Sequence, residues 1–115
     1  MTTGFALGRD INGYNAFGRQ PSDDIWQILL SANTAASVTV PKRARVYECI
    51  FGVDPGLRLW VSTKGTAAIP TGGGAFGISE LNPVSYYLNG GTVISVITPD
   101  STLQLSIAFY AVQNT

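Results

Sequence analysis

The chain has 115 residues and a mass of 12.2 kDa, enough for one domain and too few for a second independent core, since a domain takes about 100 to 150 residues. Seven Lys and Arg balance seven Asp and Glu, His is absent, and 12% of residues are charged, about half the usual share near 25%. This excludes a general nucleic-acid binder, which needs a basic footprint, and removes the commonest general base, the commonest metal ligand and every Ser-His or Cys-His nucleophile. A formal net charge of zero with 45% hydrophobic residues suits a protein whose surface is partly covered by partners better than a concentrated free monomer.

Residues 1–24 carry Gly at 4, 8, 13 and 18, aromatics at Phe5, Tyr14 and Phe17, and no sustained period of 2 or 3.6 residues. They are expected to form an arm lying along a surface. The opening residues lack a basic start followed by an apolar stretch, and no apolar run approaches the roughly 20 residues of a membrane span. No membrane partner is expected, and synthesis in a cytoplasm is. From residue 25 to 115 the chain reads as short strands broken by turn signals, the pattern of a β-sandwich or barrel.

Ile25 to Leu30 is the first strand; Ser22, Asp23 and Asp24 are capable of capping a helix there, but six residues is short for one. The turn-like Ser31-Ala32-Asn33-Thr34 leads into alternating Ser37 to Pro41, so a hairpin between these two strands is expected. Arg45 to Val53 follows and closes at Asp54-Pro55-Gly56, where Pro sets φ and Gly supplies a positive φ. In Leu57 to Thr63, residues Leu57, Leu59 and Val61 point one way and Arg58, Trp60 and Ser62 the other. A loop containing Gly72-Gly73-Gly74 leads to Val84 to Leu88, Thr92 to Thr98 and Thr102 to Ala111. In the last of these, Leu103, Leu105, Ile107 and Phe109 share one face, and burying each stabilises the register by roughly 1.5 to 3 kcal/mol. Seven strands are expected in all, forming an antiparallel sandwich of jelly-roll or immunoglobulin type.

The single Cys49 excludes an intrachain disulfide, and its place in an apolar run reads as a buried small hydrophobe. Among the carboxylates, Asp23 and Asp24 open an element, while Asp54 and Asp100 sit beside Pro in turns and are expected to bond local backbone. Glu48 lies mid-strand and is read onto the solvent face; buried, it would need Arg45, Arg58 or Lys64 as partner. The triple glycine is no phosphate loop, because no Gly-Lys-Ser/Thr follows. Lys42, Arg43 and Arg45 form the one basic cluster, a solvated turn or a contact to a phosphate or to a neighbour's acidic patch. Trp60, Tyr86 and Tyr87 read as a sugar-binding face or as core and interface packing.

The stretch Leu29 to Pro41, with Tyr47 to Val53, Trp60-Val61, Thr66 to Pro70, Glu80 to Pro83 and Leu105 to Tyr110, resembles small virion proteins of tailed bacteriophages, specifically capsid decoration or cement proteins. The resemblance covers roughly residues 25–111 and rests on hydrophobic pattern and turns. It implies an all-β, jelly-roll-like sandwich with an extended N-terminal arm, on the outer surface of a capsid assembled from proteins made in the host cytoplasm. It also implies the major capsid protein and further copies of this chain, two or three about a symmetry axis, as partners, and no enzyme activity, cofactor, metal or nucleic acid. Lys42-Arg43-Ala44-Arg45 stands where a small neutral turn would match better. The expected contacts are Phe5, Leu7, Tyr14 and Phe17 on the arm, with Arg9, Arg19, Lys42, Arg43 and Arg45 as a charged rim. A glycan-binding module of a tail or fibre, or a minor head-to-tail component, is the alternative.

Overall fold

The computed structural model describes residues 21–74 and 76–112. All regular structure among them is strand: β1 (Asp24–Ser31), β2 (Ala36–Thr39), β3 (Val46–Val53), β4 (Trp60–Ser62), β5 (Glu80–Leu81), β6 (Ser85–Asn89), β7 (Val93–Ile97) and β8 (Thr102–Ala111). Two four-stranded sheets result, β1-β8-β3-β6 and β2-β7-β4-β5, and every ladder in them is antiparallel. Strand one pairs with eight, two with seven, three with six and four with five. A single long hairpin rolled over onto itself makes this nested set of pairs.

The two sheets bury a common core because each strand presents alternate residues to it. Leu103, Leu105, Ile107 and Phe109 of β8 face Tyr47 and Cys49 of β3, Leu30 of β1, and Ile94, Val96 and Val61 of the other sheet. The face expected of the last strand is thus the face it buries. Tyr47 and Phe109 meet edge to face with centroids 6.5 Å apart, a geometry that favours the ring quadrupoles. Cys49 is fully buried in this core. Burial, with the neighbouring Glu48 carboxylate second, pushes its thiol up to about 12.

Several expectations are corrected. The strands among the described residues number eight, and Asp24 belongs to β1 rather than to an arm. Ile25 to Leu30 and Ser37 to Val40 form no hairpin: the turn between them, with Asn33 at φ 58° and its N–H donating to Thr98 O at 2.7 Å, carries the chain from one sheet to the other. Leu57 to Leu59 lies outside the strand ladders because a side chain takes its partners. Asn82 accepts from Leu59 N–H through Oδ1 at 2.7 Å and donates from Nδ2 to Leu57 O at 3.3 Å, so regular pairing starts at Trp60.

The turn aspartates reach across the fold rather than to local backbone. Asp54 Oδ2 accepts from Gln104 N–H at 3.0 Å, Asp100 Oδ2 from Arg58 N–H at 2.7 Å, and Asp23 Oδ2 from Ala111 N–H at 2.7 Å. Glu48 points away from the core, between its cross-strand neighbours Tyr87 and Tyr110. Its Oε1 is nonetheless buried and without a hydrogen-bond partner, and it forms no ion pair with Arg45, Arg58 or Lys64 among the described residues.

Residues 64–67 lie against the outer face of the second sheet. Ser95 Oγ accepts from Ala67 N–H at 2.8 Å and Ser62 Oγ from Lys64 N–H at 3.1 Å, which explains why both serines are buried on a face that points away from the core.

Candidate functional site

At one end of the sandwich the β2–β3 connection meets the β6–β7 turn. Pro41 ends the pairing of β2, and the chain then carries Lys42, Arg43, Ala44 and Arg45 across the tip before β3 begins. This short loop is fixed at several points. Ala44 N–H donates to Tyr47 Oη at 3.0 Å, Gly90 N–H to Arg45 O at 2.8 Å and Gly91 N–H to Val40 O at 2.9 Å. A Cβ on residue 90 would stand 2.6 Å from Ala44 O and 2.8 Å from Pro41 O, so the close approach of the two turns requires glycine there. Gly91, at φ 90°, closes the turn in a conformation that L side chains rarely adopt.

The loop walls an open cleft of about 570 Å³ lined by Lys42, Arg43, Ala44, Arg45, Asn89 and Gly90. No carboxylate is in this lining. Arg43 reaches the Asp24 carboxylate at the start of β1 and keeps its side chain 68% exposed while doing so. Lys42 and Arg45 are exposed and make no ion pair among the described residues. With Arg43 already paired to Asp24 and no carboxylate in the lining, Lys42 and Arg45 are the cations free to hold an anionic group in the cleft.

The second concavity, about 370 Å³, lies at the open side of the sandwich, where β5 and β6 are the sheet edges. Glu80 pairs with the buried Val61 and so points to the core side, where it accepts a hydrogen bond from Tyr86 Oη. Burial, and then this bond to a carboxylate, raises the Tyr86 phenol above the ordinary tyrosine range. Phe51 packs edge-on against the same ring with centroids 5.5 Å apart. A carboxylate committed to a phenol across two sheets is a latch, and Lys64, Thr63 and Ile78 line the space beside it.

Of the residues singled out in the sequence, Lys42, Arg43 and Arg45 are brought together in one cleft. Phe5, Leu7, Arg9, Tyr14, Phe17 and Arg19 lie outside the described residues. Trp60, Tyr86 and Tyr87 share no face: Trp60 is across from Ile97 and Leu81 on the outer side of the second sheet, Tyr86 points inward, and Tyr87 outward at 68% exposure. A sugar platform from those three rings is thereby excluded. Adjacent strand residues face opposite ways, so the separation of Tyr86 from Tyr87 was already implied by their positions. The roles of Asn89 and Gly90 were missed, because each acquires its role from a partner distant in sequence.

Among the described residues no group of three or more His, Cys, Asp or Glu is placed to hold a metal ion. No protein-family model matches the chain, and neither the curated proteins nor the solved structures contain a significant match.

Proposed function

We propose that this chain is a jelly-roll virion structural protein that binds the outer surface of an assembled phage capsid as a decoration, or cement, protein. The carrying observation is the ion pair between Arg43 and Asp24. It roots the segment that leads back to residues 1–20 at the same end of the sandwich as the basic cleft. An arm and a rigid charged rim that leave from one end fit a molecule standing on a surface by that end. The nested strand pairing is the order a jelly roll requires, and it supports the fold that the resemblance implies.

In this reading nothing is catalysed. The protein binds the assembled lattice of major capsid protein better than it binds free subunits and stabilises the shell by mass action, as any ligand of a native state does. Two or three copies about a symmetry axis share one self-complementary patch, and the modest energy of each contact is repeated over the shell. Deleting residues 1–20 tests the reading on purified particles. The truncated protein should fold and leave the shell, with the intact protein present in roughly hundreds of copies per particle, the number an array of weak clamps needs. A few dozen copies or fewer would move the assignment to a tail, fibre or minor head-to-tail component.

A further inference from the structure

We infer that the cleft between the Pro41–Arg45 loop and the Asn89–Gly91 turn is a docking site for an acidic polypeptide segment of the partner. The inference rests on the proposal that this end of the sandwich faces a partner, and it names the chemistry of the contact.

Charge distribution is the first support. The described residues include five cations, Lys42, Arg43, Arg45, Arg58 and Lys64, and three of them lie within four consecutive positions. Of the other two, Arg58 is paired with Asp100 at 3.2 Å. In a chain so poor in charge, this cluster is the strongest positive feature of the described surface. Rigidity is the second. Backbone bonds from Gly90 and Gly91, together with the bond from Ala44 to the Tyr47 hydroxyl, hold the loop before any ligand arrives, so little ordering cost remains on binding. Concavity is the third: the cations rim an open cleft of about 570 Å³ that Asn89 and Gly90 also line.

An acidic peptide fits better than a nucleic acid. A nucleic-acid binder presents an extended basic patch or stripe to the phosphates, and the cleft has three cations, one already paired with Asp24. The guanidinium groups of Arg43 and Arg45 suit carboxylates, which they engage through two parallel hydrogen bonds.

The test is titration of the full-length, ¹⁵N-labelled protein with hexaglutamate, followed by amide NMR. Shifts should concentrate at Arg43, Arg45, Asn89 and Gly90 and weaken as added salt shortens the screening length to about 8 Å. The double variant Lys42→Glu/Arg45→Glu should bind about tenfold or more weakly, as expected for losing two charge pairs and introducing repulsion. Its remaining resonances should keep their dispersion, and Lys64→Glu should bind as the parent does. Absence of shifts at these amides, or equal binding by the double variant, would overturn the inference. So would equal affinity for inorganic phosphate, which would make the cleft a simple anion site, or tighter binding of hexathymidylate, which would make it a nucleic-acid contact. Hundreds of copies on particles together with no hexaglutamate binding would remove this inference alone, whereas hexaglutamate binding by a protein absent from shells would remove the capsid reading alone.

Discussion

Replacing Gly90 by alanine strikes the contact that shapes the basic cleft. The new Cβ would meet two backbone oxygens, Ala44 O at 2.6 Å and Pro41 O at 2.8 Å, where ordinary contact begins at 3.4 Å. Neither oxygen belongs to a flexible side chain, so the two turns must part by about 0.8 Å, the difference between 3.4 and 2.6 Å. Overpacking of this kind costs about 1 to 3 kcal/mol. Weakening the 2.8 Å bond from Gly90 N–H to Arg45 O adds about 1 kcal/mol. The sum, about 2 to 4 kcal/mol, lowers the melting temperature by roughly 8 to 16 °C at about 4 °C per kcal/mol. Calorimetry reads this directly. Gly77→Ala is the control: nothing lies within 4 Å of its Cβ and its φ is not positive, so its stability should change by less than about 0.5 kcal/mol. A Gly90→Ala melting temperature within about 2 °C of the parent would refute the rigid-loop argument.

Three further outcomes follow from titratable groups. Asp100 is held below the usual carboxylate range by the N–H of Arg58 first and its guanidinium second; its contribution is present above the ordinary carboxylate pKa and lost as pH falls through the lowered one. Asp100→Asn should therefore flatten the acid limb of a stability-against-pH curve, and an unchanged limb would contradict the assignment. Cys49 should resist a thiol reagent such as dithionitrobenzoate in the folded protein and react stoichiometrically in denaturant; because its folded pKa of about 12 exceeds the unfolded value near 8.5, stability should fall as pH rises above that value. Fast labelling of the folded state at neutral pH would show that the core is not closed. Tyr86 should ionise above the normal phenol range near 10, seen as the difference between ultraviolet titrations of the parent and Tyr86→Phe. A normal curve would mean that the latch to Glu80 does not hold.

The parts of the fold legible in the sequence were those written in local period. β8 alternates over its 10 residues, and the face it buries, Leu103, Leu105, Ile107 and Phe109, is the face its sequence predicts. β5 was not legible, because two residues have no period and Glu80–Leu81 is a strand only by virtue of its pairing with Trp60 and Val61. The false hairpin has the same origin. A short turn between two apolar runs ordinarily joins strand neighbours, but here the neighbours of β1 and β2 are β8 and β7, some 80 and 60 residues later in their registers.

The candidate site divides in the same way. Lys42, Arg43 and Arg45 are visible as a cluster in the sequence. What makes them a site is Gly90, about 45 residues further along the chain, whose missing side chain allows the turns to touch. Asn89-Gly90-Gly91 reads as a turn from composition alone, and nothing local states which segment it must admit. Glu48 shows the opposite case: its alternation places it on the outer face, yet the burial of Oε1 depends on surroundings that strand period does not describe.

A cryo-EM map of particles that carry this protein, with its density located and counted, tests the central claim most directly. The capsid reading predicts an eight-stranded sandwich repeated over the whole icosahedral shell, standing on the major capsid protein by the end that holds Asp24, Arg43 and Gly90. Density confined to the tail, or a sandwich attached by its opposite end, would contradict it.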